Sequence, residues 1–153
     1  MAVRQLRYEG DGILSKKCKE VTAVDDKIRE LLDDMLDTLH TMPNGAAIAA
    51  CQVGILKRLV VIDMGDGVIK LVNPKIIGTS GVQESIEGCL SFPDKAGITV
   101  RPKKVTVQAL NEWGEEILLE GEDLMAKCLC HEIEHLDGRV FLEHVISFVD
   151  MPR

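Results

Sequence analysis

The segment His131-Glu132-Ile133-Glu134-His135 constrains this chain more than any other stretch of it. Two histidines four residues apart share one face of a helix, a turn from each other, so the pair demands an α-helix if it is to act together. Such a face can grip a single cation. Glu132, beside the first histidine, is placed to take up and return a proton during hydrolysis. Residues 121–137 carry the matching pattern: Leu124, Cys128, His131 and His135 form one stripe, and Met125, Leu129, Glu132 and Leu136 the adjacent one. Glu122 and Asp123 are expected in the first turn, at the positive end of the helix dipole, with Gly138 capping the far end.

The rest of the sequence supplies sheets for that helix to pack on. Apolar runs at residues 59–62 and 68–72 flank Gly65-Asp66-Gly67, a hairpin pattern that is expected to break at Asn73-Pro74. Val105, Val107 and Ala109 alternate ahead of a turn at Asn111-Glu112-Trp113-Gly114, and residues 117–119 return. Over residues 25–41, Ile28, Leu31, Leu32, Met35, Leu36 and Leu39 recur at three- and four-residue spacing, which predicts a surface helix with one buried stripe. Pro43-Asn44-Gly45 is expected to stop it. The expected fold is α+β, with antiparallel sheets packed around a central helix that carries the histidine pair. Residues 1–153 are expected to form a single catalytic domain, long enough to bury a core without disulfides.

A net charge of −7, with lysines and arginines scattered, argues against a partner read through nucleic-acid phosphates. No apolar stretch approaches the roughly 20 residues of a membrane span, and the N-terminus lacks a signal peptide's apolar run. The five cysteines therefore read as reduced thiols, and the expected location is the cytoplasm.

Two histidines leave a catalytic metal short of a ligand, because such sites have three from protein. Extended zinc-protease patterns place a third histidine where this chain has Phe141, and Glu143 follows the pair too closely to serve. The remaining donor is expected upstream. Cys89, within Glu87-Gly88-Cys89-Leu90-Ser91, is the best candidate, since Gly88 permits close backbone approach and Pro93 stiffens the exit. A thiolate with two imidazoles suits Zn(II) or Fe(II). Spacing alone leaves Cys18, Cys51 and Cys128 open as competitors, whereas Cys130 adjoins His131 and points off its face.

Three segments in order, Gly45-Ala46-Ala47-Ile48-Ala49-Ala50-Cys51-Gln52, residues 87–91 and the histidine pair, resemble the motifs of the peptide deformylase family. Leu136-Asp137-Gly138 extends the match. The resemblance implies removal of the N-formyl group from formyl-methionyl nascent peptides, with release of formate. It implies Cys89, His131 and His135 as ligands of one divalent metal, Fe(II) in the cell, with Zn(II) or Ni(II) in purified protein. Glu132 would be general base and then acid. The Gln52 side chain and the Leu90 backbone N–H would steady the developing oxyanion, and Ala46, Ala47, Gly88, Leu124 and Cys128 would line the substrate site.

Two positions depart from the family pattern. Ala47 stands where a glycine is usual and is expected to narrow the cleft, and Glu134 replaces an aspartate in a structural role. The sequence stops soon after Phe148-Val149, where many deformylases continue into a C-terminal helix that some dock on the ribosome. Any transient ribosome contact is thus expected by another route. Cys18 and Cys51 are expected as structural thiols and His144 as a solvated side chain. The competing functions are a metallopeptidase or other amidase using the same helix, and a degenerate homologue that only binds metal. The complete Cys-His-Glu-His set argues against the latter, because a structural site has no need of Glu132.

Overall fold

Helix α1 (Asp26–Leu39) starts where its cap does: Asp25 is extended, and its carboxylate accepts a hydrogen bond from the Ile28 N–H at 3.0 Å. Its apolar stripe, Ile28, Leu31, Leu32, Met35 and Leu39, is buried as the spacing predicts. The computed structural model describes residues 2–43 and 45–150, so Asn44 of the expected stop signal lies outside the described residues.

Five strands, β1 (Ala47–Ala49), β2 (Leu59–Asp63), β3 (Val68–Ser80), β6 (Lys104–Leu110) and β7 (Glu116–Glu122), form an antiparallel sheet in the order β1-β2-β3-β6-β7. Strand β2 is apolar at successive positions because the sheet is covered on both faces. Leu59 and Val61 pack with Ile48, Val72 and the α1 stripe. Val60 and Ile62 pack with Leu71, Val105 and Val107 against Ala126, Leu129, Ile133 and Leu136 of helix α2 (Leu124–Leu136). A second antiparallel sheet, β4 (Gln83–Cys89), β5 (Phe92–Arg101) and β8 (Val145–Phe148), is ordered β4-β5-β8. Its inner side meets α2 through Glu87 and Arg101. The α+β architecture with α2 at its centre is therefore as expected, and among the described residues no helix is long and apolar enough to cross a membrane.

Two boundaries differ from expectation. Strand β3 does not break at Asn73-Pro74 but continues to Ser80. A register shift between Val72 and Lys75 absorbs the proline, which has no N–H for the ladder. Asn73 adopts φ 52° there, and its side-chain amide bonds both the N–H and the C=O of Val21 at 2.8 Å. Helix α2 begins at Leu124 rather than residue 121, so Glu122 is not in its first turn. Pairing of Lys104 with Glu122 extends β7 through that residue, and Asp123 turns the chain with φ 54°. Strands β4 and β5 carry too many polar residues for apolar alternation to announce them, and β8, at four residues, is too short to show a period.

At the other end of α2, Gly138 caps as expected, donating to the His135 C=O at 3.1 Å with φ +74°. A Cβ there would lie 2.5 Å from the Ser15 carbonyl oxygen. Gly138→Ala is therefore expected to destabilise the protein by about 1–3 kcal/mol, read as a lowered urea midpoint.

Candidate active site

Three elements bring the predicted residues together. Packing of α2 on the five-stranded sheet sends Ile133 and Leu136 into the core, while His131 meets Glu87, His135 meets Cys89 and Glu132 lines a cleft beside them. The β4–β5 hairpin turns at Leu90-Ser91 and carries Cys89 at the end of β4. A short 3-10 turn, Ala50–Val53, follows β1 and supplies Gln52. The Cys89 Sγ lies 3.2 Å from His135 Nε2, and the ligand atoms of Cys89, His131 and His135 all fall within 4.8 Å of one another. Cys18 and Cys51 stay in the core; the Cys51 thiol donates to the His135 C=O at 3.4 Å.

The Gln52 amide has its orientation set by the backbone. Its Oε1 accepts from the Ala49 N–H at 2.9 Å, which turns Nε2 toward Ser91 Oγ at 3.1 Å and Cys89 Sγ at 3.6 Å. A neutral donor thus stands beside the sulfur. Glu132 is 2% exposed, and its Oε2 finds no hydrogen-bond partner among the described residues. Burial raises its carboxyl to about 7, more than the neighbouring His131 charge lowers it. It can therefore exchange a proton near neutrality.

The two histidines are held differently. Burial, helped by the His131 charge, lowers His135 to about 3, so its ring is neutral and its Nε2 offers a lone pair. Burial opposes charging of His131 too, but hydrogen bonds with Cys89 and Glu87 outweigh it and push that ring up to about 10. Glu87 Oε2 sits 2.6 Å from His131 Nδ1, which makes Nδ1 the protonated nitrogen of the neutral ring and leaves Nε2 as its ligand atom. The surrounding thiol and carboxylates favour a positive charge at His131, and a cation on Nε2 would supply it in place of the proton. The donor set of one thiol and two imidazoles fits a borderline-soft divalent metal.

Glu87 is itself fully engaged. Thr99 Oγ1 donates to it at 2.8 Å, and Arg101 donates through Nε at 3.0 Å and Nη2 at 2.7 Å. Arg101 also donates to Glu134 at 2.6 Å, and Glu134 meets His144 Nε2 at 2.9 Å. His144, expected as solvated, is thus tied into this network because a 3-10 turn at Phe141–His144 brings it back to Glu134 of α2. Glu134 has the structural role expected of it. Sequence reasoning assigned no role to Glu87, Ser91 or Arg101. The signal for Arg101 was its alternation with Thr99 on one face of β5, invisible while the strand itself was unrecognised.

A cleft of about 630 Å³ opens beside these groups. Ala46, Ala47, Gly88, Leu90, Leu124 and Cys128 line it, and Gln52, Cys89, His131 and Glu132 face the same space. All the substrate-binding candidates are therefore gathered on its walls. His135 is buried behind them.

Comparison with known proteins accords with this geometry. The family profile described as polypeptide deformylase matches residues 3–150. Peptide deformylase 2 of Clostridium acetobutylicum is 61% identical over 149 residues, covering 97% of this chain and 99% of that protein. Peptide deformylase of Acetivibrio thermocellus is 53% identical over 150 residues, 98% of this chain and 88% of that protein. The crystal structure of peptide deformylase from Ehrlichia chaffeensis in complex with actinonin superposes with a TM-score of 0.91 at 37% identity, covering 95% of this chain and 90% of that one. The Thermotoga maritima enzyme structure gives 0.90 at 32% identity, with 95% and 99% covered.

Burial alone would raise the Glu87 carboxyl, but His131 and Arg101 hold it well below its ordinary value of 4.5. A depressed carboxylate stabilises the fold fully above the unfolded value, and the contribution is lost as pH falls below it. Stability is accordingly expected to drop as pH falls below about 4.5, and Glu87→Gln to flatten that acid limb while lowering stability at pH 7. Urea unfolding at pH 7 and pH 3.5 for both proteins measures the difference; parallel acid losses would remove Glu87 as its source.

Proposed function

We infer the reaction from one premise: this chain belongs to the peptide deformylase family. It hydrolyses the formyl amide of formyl-methionyl peptides, leaving formate and a free amino terminus. The observation that carries this reading is the convergence of Cys89, His131 and Glu132 on one cleft, with His135 directly behind and the Glu132 Oε2 without a partner among the described residues.

Cys89 Sγ, His131 Nε2 and His135 Nε2 would hold one divalent metal, which we take to be Fe(II) in the cell, with Zn(II) or Ni(II) able to replace it. When bound, that ion supplies Lewis acidity and brings the pKa of water toward neutrality. Glu132 takes a proton from the attacking water at its free Oε2 and delivers it to the departing amine nitrogen. Gln52 Nε2 and the Leu90 N–H donate to the formyl oxygen as negative charge gathers there. Ser91 steadies Gln52 in that pose, and Glu87 steadies His131. Ala46, Ala47, Gly88, Leu124 and Cys128 receive the first residue of the peptide, with the Ala47 methyl narrowing the approach.

In this reading residues 1–153 act as one catalytic domain in the cytoplasm, where formyl-methionyl chains are made. Any contact with the ribosome is transient. A buried carboxylate oxygen left without a partner among the described residues, beside the ligands, weighs against a metal site that is only structural.

The deciding experiment is anaerobic formate release from a formyl-methionyl peptide by protein loaded with Fe(II), Ni(II) or Zn(II). Turnover is expected, lost with chelator and restored by metal; no formate from any loaded form would overturn the reading. Glu132→Ala is expected to keep fold and metal but lose turnover by about 100-fold or more, checked by elemental analysis beside the same assay. Cys89→Ser is expected to weaken metal binding at least about tenfold in chelator competition, and full affinity would remove Cys89 from the ligand set.

A further inference from the structure

The side of α2 that brings His131 to the cleft brings a lysine as well. Lys127 lies one helical turn before His131 and shares the cleft wall with Leu124, Cys128 and Gly88. Its side chain is half-buried, and Nζ donates to the Ile86 C=O at 2.9 Å. Among the described residues strand β4 pairs only with β5, which leaves it at the edge of its sheet, and Lys127 meets the Ile86 oxygen there. The ammonium is therefore anchored by main chain rather than by a mobile acid. Among the described residues no carboxylate pairs with it. An ammonium has three donors, so two remain for a ligand in the cleft.

A pocket for an unbranched thioether has no use for such a cation. Thioether sulfur is a weak acceptor, and the Leu124 and Cys128 walls already suit an apolar chain. Oxidation of methionine to the sulfoxide adds a strong acceptor oxygen at the same position along the chain. In an all-apolar pocket that oxygen would be buried unpaired, a loss of about tenfold or more in binding. We propose that Lys127 is a specificity-determining residue that extends the first-residue pocket to methionine sulfoxide, with Nζ donating to the sulfoxide oxygen. The proposal rests on the deformylase reading of the cleft. The reaction is unchanged: water adds across the formyl amide, formate leaves, and the sulfoxide is not reduced. Chain starts oxidised before processing remain substrates.

The test uses metal-loaded enzyme and two versions of one formylated tripeptide, beginning with methionine or methionine sulfoxide. Formate release yields kcat/KM for each, and the quantity read is their ratio. Wild type is expected to prefer methionine by less than about tenfold, and Lys127→Met to widen that preference by at least about tenfold, chiefly through KM for the sulfoxide. Lys127→Arg keeps a cationic donor and is expected to keep a ratio near wild type. An unchanged ratio in Lys127→Met would overturn the role of Lys127, while formate from the methionine peptide in the same assay would leave the deformylase reading intact. No formate from either peptide with wild type would overturn both.

Discussion

The site depends on one buried carboxylate. Glu87 is 4% exposed, and Arg101, which it pairs with, 3%. Taking two such charges out of water is costly, and the arrangement persists because both Glu87 oxygens are met twice and each Arg101 nitrogen donates to a carboxylate. Glu87 accepts from Thr99 and twice from Arg101, and it meets His131 Nδ1. Removing one partner from a buried pair of this kind costs about 3–5 kcal/mol, because the other is left uncompensated. Three of these contacts brace β4 on β5, and the fourth, together with the Arg101–Glu134 pair, ties the hairpin to α2. Cys89 stands two residues beyond Glu87 on β4, so whatever fixes Glu87 against His131 also fixes the thiol against both imidazoles.

The hairpin could not be held so without a firm surface beneath α2. The five-stranded sheet provides it by being apolar on both faces, with α1 on one side and α2 on the other. Ala126 and Ile133 enter the core from the helix side opposite the cleft residue Leu124, with Leu129 and Leu136 buried beside them. The helix therefore cannot rotate without exposing apolar area worth about 25 cal/mol per Å². The proposed metal ligands come from a helix and a strand end, not from loops, which suits a constellation that must be accurate to a fraction of an ångström.

Much of this was legible because it is local. The 131/135 spacing, the stripe of α1 and the Gly138 cap depend on residues within a turn or two of each other, and each stands where spacing predicts. Cys89 emerged from elimination and motif order, although Cys18, Cys51 and Cys128 could not be set aside by spacing alone. The misjudged boundaries share one cause. Asn73-Pro74 looks like a break and Gly121-Glu122 like a helix start in isolation, yet pairing with β6 carries both segments on as strand. Local preference is worth tenths of a kcal/mol to about one, and tertiary pairing outweighs it.

By itself the sequence determined the chemistry on offer: two imidazoles and a carboxylate on one helix, because a 3.6-residue period is written in the chain. Only the tertiary structure decided which cysteine joins them, since Cys89 and His131 are 42 positions apart and meet through a carboxylate and an arginine on neighbouring strands. It also decided the protonation of the site. Glu132 and His135 are shifted chiefly by burial, and His131 chiefly by partners set against it. Desolvation and charge proximity belong to packed neighbours, and no spacing along a chain records which neighbours those will be.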